Sequence, residues 1–99
     1  MEFRYEPDLL AYMEKSGKRT VAVELVEVNN SDFEITELHV HFVDTRMRER
    51  FLNKRYRLYT TEAGEVLLPP FPLETEQTVT FGLRSVLFFK WLTYCGIKV

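Results

Sequence analysis

Apolar positions Leu9, Tyr12 and Met13, with Leu10 beside them, recur at helical spacing between Pro7 and Gly17. The pattern predicts a helix over 7–16 with that face laid on a sheet. Pro7 suits the first helical position, Asp8 its positive end, and Gly17 a left-handed stop. From Thr20 to Val28 the period changes to two at Val21, Val23 and Leu25, then slips at Val26 and Val28. A strand with a bulge or a change of face is expected there. The turn formers Asn29, Asn30, Ser31 and Asp32 mark a loop. Leu38, Val40 and Phe42 then alternate with Glu37, His39, His41 and Val43, as in a strand with one buried face. Asp44 suits the cap of a short helix over 45–52 that brings Met47 and Phe51 together at i and i+4.

Tyr56, Leu58 and Thr60 alternate with Arg55, Arg57 and Tyr59, and Thr61-Glu62-Ala63-Gly64 separates them from Glu65-Val66-Leu67-Leu68. This predicts a β-hairpin with Gly64 at the position needing positive φ. Pro69, Pro70 and Pro72 end that strand by removing backbone donors, and a stiff connection follows. Gln77, Val79, Phe81 and Leu83 mark another strand, with Gly82 to Ser85 turning the chain into Val86–Tyr94. That last stretch is apolar on both faces, with Phe89 and Trp91 on one side and Phe88, Leu92 and Tyr94 on the other. Such a strand is either central and covered on both sides, which is the expectation, or leaves one face for a partner. Ile97 and Val99 suit an edge strand beyond Gly96.

These elements give an α+β chain, mostly β, with one N-terminal helix packed on an antiparallel or mixed twisted sheet or on two small sheets. At 99 residues, one compact domain spanning 1–99 is expected. A hydrophobic content of 45% is enough for a core and too much for a disordered segment. The single cysteine, Cys95, excludes an internal disulfide and the multi-cysteine set of a structural zinc or cluster site, and is read as a small packing residue. Glu2, Glu6 and Asp8 stand where a signal peptide would be basic and then apolar. Val86 to Tyr94, interrupted by Lys90, falls far short of the roughly 20 residues that span a bilayer. A soluble cytoplasmic protein without a membrane partner is expected.

Three constellations carry candidate chemistry. His39 and His41 share the strand face opposite Leu38, Val40 and Phe42, with Glu37 beside them, so both imidazoles can approach one metal. Two exposed histidines on a solvated face is the alternative. Arg46, Arg48, Arg50, Lys54, Arg55 and Arg57 put six of thirteen basic residues into twelve positions, with Glu49 the one acid. That segment is +5 against a whole-chain charge of -2, which leaves -7 elsewhere. With Tyr56 and Tyr59 nearby it can contact phosphates and stacked bases; otherwise it is a solvated edge or meets an acidic protein surface. A pI of 5.7 is low for a dedicated nucleic-acid domain. Phe89 and Trp91 are the candidate interface residues of a dimer. No serine stands in G-x-S-x-G, and four scattered glycines form no phosphate-cradling loop, so no cofactor is implied.

Tyr5-Glu6-Pro7 leading into a helix that ends near Gly17, the strand Thr20–Glu27, Gly64-Glu65-Val66 and the terminal Tyr94-Cys95-Gly96-Ile97 together resemble the HesB/IscA-like proteins of iron-sulfur biosynthesis. The resemblance implies an α+β domain with a helix against mixed sheets, and a role in iron or cluster delivery. The family uses three cysteines as ligands. Here the loop after the first strand reads Asn29-Asn30-Ser31-Asp32, and Cys95 alone holds a comparable place. Cluster chemistry by the family mechanism would then be lost and a scaffold left. The chain therefore reads as a non-catalytic binding or regulatory module, with protein, including a second copy of itself, as the expected partner. A nucleic-acid module and a metal-binding or degenerate iron-sulfur-assembly protein are the alternatives.

Overall fold

Pro7 opens the first helix because the residue at that position needs no N–H partner, and Gly17 closes it at φ 75° with its N–H on the Met13 carbonyl at 2.9 Å. Around this helix the computed structural model, which describes residues 1–29 and 34–98, arranges seven strands and a second helix. In chain order these are β1 (Glu2–Tyr5), α1 (Pro7–Ser16), β2 (Thr20–Asn29), β3 (Glu34–Val43), α2 (Thr45–Asn53), β4 (Arg57–Thr60), β5 (Glu65–Leu68), β6 (Glu74–Val86) and β7 (Phe89–Lys98). One sheet has the order β1-β6-β7, with β1 parallel to β6; the other has the order β3-β2-β5-β4, with β2 parallel to β5. The remaining pairs are antiparallel. The fold is α+β and mostly β, built on two mixed sheets.

Alternation along the strands decides what each face buries. Val21 and Val23 of β2 and Val66 and Leu68 of β5 join Val79, Phe81 and Ile97 of the other sheet in the principal core, capped by Leu9 and Met13 of α1. The intervening Ala22 and Leu67 point the opposite way and are covered by Phe51 of α2. Both faces of the β2–β5 pair are thus dry. Helix α2 starts as its sequence requires, with the Asp44 carboxylate accepting the Met47 N–H at 2.8 Å. Neither helix is long and apolar enough to cross a membrane.

Four expectations change. Strand β1 is absent from the sequence reading, because four residues carry too little periodicity to show. The β2–β3 ladder runs without a register shift from Thr20↔Val43 to Asn29↔Glu34, so β2 has no bulge. The slip at Val26 and Val28 arises where burial runs out: Val23, Leu25 and Leu38 still face the core, but Glu27 to Asn29 are exposed, so the end of the arm has no buried face to hold a strict pattern. Gly64 does not take positive φ; a Cβ there would collide with the Arg19 carbonyl, so glycine serves close packing instead. No turn forms at Gly82–Ser85, which stays within β6. Of the loop expected at 29–32, Asn29 ends β2 and the rest lies outside the described residues, as does Val99.

Candidate functional site

Strands β6 and β7 form a long ladder that closes through two residues. Val86 pairs with Phe89, so Leu87 and Phe88 make the whole turn, with Leu87 at φ 56°. Such turns normally place glycine or asparagine at positive φ, because a side chain there crowds the backbone. Directly opposed residues share a face. Arg84, Val86, Phe89 and Trp91 therefore lie together on one side, while Leu83 and Leu92 on the other pack against the core.

The expectation of one covered strand over Val86–Tyr94 is corrected by this turn. Phe89 and Trp91 do share a side, but Leu87, Phe88 and Phe89 stand 86%, 97% and 73% exposed. No Gly, Pro, Asn or Asp marks the reversal at 87–88, so the sequence carries no turn signal to separate a hairpin from a continuous strand. Cys95, expected to pack, is exposed on β7 opposite Thr80.

The hairpin is fastened from its inner side. The Lys90 ammonium lies 4.9 Å from the Tyr12 ring centroid, and Lys18 lies 5.7 Å from the same ring and 5.6 Å from that of Phe42. Tyr12 of α1 and Phe42 of β3 are themselves 6.0 Å apart. Two cations on aromatic faces thus join β7, α1 and β3.

The basic segment is spread over α2 and the start of β4. Arg48 turns inward and binds Glu65 of β5 through Nε and Nη2 at 2.8 and 2.9 Å. Thr20 donates its hydroxyl to the same carboxylate at 3.0 Å. The Arg48 hydrogen bonds hold the Glu65 carboxyl below the usual carboxylate range, and the carboxylate in turn raises the guanidinium. Arg46, Arg50, Lys54, Arg55 and Arg57 remain exposed. Arg55 has φ 68° and sits just past α2, where its N–H reaches the Leu52 carbonyl and the Tyr56 N–H reaches that of Phe51, both at 3.0 Å.

His39 and His41 do share a face of β3, and each takes a separate carboxylate. His39 Nε2 is 3.0 Å from Glu37 Oε2, and His41 Nε2 is 2.9 Å from Glu24 Oε2. Glu24 comes from β2 and could not be paired with His41 from sequence spacing alone. Among the described residues no group of three or more His, Cys, Asp or Glu side chains is placed to hold a metal.

A groove of ≈ 830 Å³ between β1 and α1 also escaped the sequence reading, because it depends on β1. Phe3, Leu10 and Met13 line it, and its acidic and basic rim residues balance. Tyr5 lies within it with its hydroxyl 2.8 Å from Thr61 Oγ1, and burial pushes that phenol up. Its lining residues include no His, Cys or Ser. No family model, no curated protein and no solved structure matches the chain.

Proposed function

We propose that the chain is a protein-binding module that pairs with a second copy of itself through the β6–β7 hairpin. The exposure of Leu87, Phe88 and Phe89 at a two-residue turn carries this reading. Burying a side chain of this size removes about 1.5–3 kcal/mol of unfavourable contact with water. Three of them grouped at a tip, with Trp91 alongside, make the kind of anchor around which protein interfaces form. Light scattering on the wild type and on Phe88→Ser/Phe89→Ser, over a range of concentrations, tests it. Twice the 11.8 kDa chain mass is expected for the wild type and the single mass for the variant. A wild type that stays at the single mass throughout sinks the reading.

The five exposed cations of the 46–57 segment favour a second reading, a nucleic-acid contact. Its test is salt-dependent binding of a single-stranded oligonucleotide, lost on replacing Arg46, Arg50 and Arg57 with alanine. Arg48 belongs outside that set because Glu65 already holds it.

A further inference from the structure

We propose that the β6–β7 hairpin of one copy seats on the outer face of the β2–β3 arm of a second copy, an inference that rests on the hairpin being the contact surface. Strand β5 flanks β2 only as far as Ala22, and α2 with the Tyr56 that follows it covers Ala22, Leu67 and His41 and reaches the Leu25 N–H, but no farther residue of the arm among those described. Beyond that cover the ladder sets Val28 opposite Ile35 and Val26 opposite Glu37 on the outer face. Val28 and Ile35 are 39% and 41% exposed. Among the exposed large apolar residues outside the hairpin, they are the pair that a ladder places directly against each other.

Charge favours the same contact. The aliphatic patch of the arm is bounded by the carboxylates of Glu24 and Glu37, each of which meets a histidine. The hairpin's outer face carries Val86, Phe89 and Trp91 with Arg84 opposite Trp91. One guanidinium among aromatic and aliphatic groups thus faces carboxylates around aliphatic groups. The basic segment would repel Arg84, which directs the hairpin away from α2. Each copy offers both surfaces, so a two-fold axis makes the contact twice and closes the pair.

The test is a charge exchange read by sedimentation equilibrium. Arg84→Glu alone and Glu37→Arg alone should each weaken self-association by at least ~10-fold, and Arg84→Glu/Glu37→Arg should return to within about 3-fold of wild type. A second pair of variants covers the apolar part. Phe88→Ser/Phe89→Ser and Val28→Ser/Ile35→Ser should each be monomeric alone, and an equimolar mixture should recover the double mass through the one intact contact. Circular dichroism checks that each variant folds. A wild-type dimer abolished by the hairpin variant but untouched by the arm variant and by Glu37→Arg overturns this inference and leaves the binding module standing. A wild type that never exceeds the single chain mass overturns both.

Discussion

Arg48 grips Glu65 through two nitrogens, at 2.8 and 2.9 Å, and so ties α2 to the first residue of β5, an inner strand of its sheet. The pair withdraws one cation from a segment that by sequence carries six cations and a single acid, Glu49. Its pH signature has a definite sign. Arg48 holds the folded Glu65 carboxyl below its unfolded value, so the stabilisation is complete above the usual carboxylate range and fades as pH falls through the lowered value. Glu65 keeps 26% of its side-chain surface in water, so screening makes the effect modest. Glu65→Gln should lower the thermal midpoint at neutral pH, and the difference from wild type should shrink as pH drops below 4. A gap that stays constant down to pH 2 would assign the loss to packing instead.

Arg55 offers a gain in stability. Its φ of 68° and the hydrogen bonds that close α2 put it at the left-handed position after a helix, which glycine fills with least strain. Arg55→Gly should raise stability by about 0.5–1 kcal/mol in urea unfolding, with the m-value unchanged. A destabilised variant would show that the Arg55 side chain makes a contact worth more than the backbone strain.

The Tyr12 ring receives both Lys18 and Lys90, so its removal should loosen the hairpin before it unfolds the chain. Tyr12→Leu keeps an apolar side chain on α1 but abolishes the π face. Amide exchange in β6 and β7 near the turn should quicken, while global stability falls by about 0.5–1 kcal/mol. Equal acceleration in β2 and β5 would mean that Tyr12 supports the whole core.

At Gly64 a methyl group would run into the Arg19 carbonyl, a backbone atom that cannot swing aside. The Glu65 N–H binds that same carbonyl at 2.9 Å. Gly64→Ala should destabilise the chain by about 1–3 kcal/mol, as overpacking does. An unchanged midpoint would show that the β4–β5 turn can shift away.

Periodicity made most elements legible. The helix from Pro7 to Ser16 and the α2 cap at Asp44 follow from single residues whose local chemistry dominates, and the β4–β5 hairpin from an alternating run and a short apolar run around a turn. What stayed hidden depends on partners distant in sequence. Strand β1 exists because β6 lies beside it, the Gly64 requirement comes from Arg19, and His41 meets Glu24 only through the β2–β3 register. The candidate site was half legible. An apolar run announced Phe89 and Trp91, but a turn of Leu87 and Phe88 breaks the usual rule for turn residues and so could not be read.

That broken rule supplies a test in which folding and binding move in opposite directions. Leu87 takes φ 56° at the hairpin tip while leaving 86% of its surface in water, so within one copy the side chain gains little and the backbone is strained. Leu87→Gly relieves the strain and should raise the stability of the isolated chain by roughly 1 kcal/mol. The same change deletes apolar contact area at the tip, so self-association should weaken by about 10-fold or more, in line with the loss of a buried leucine. Thermal melts at low concentration and sedimentation at high concentration separate the two effects. A variant that gains stability and associates as tightly as wild type would remove Leu87 from the interface. A variant that loses stability in the monomer would show that the turn draws on its side chain for folding.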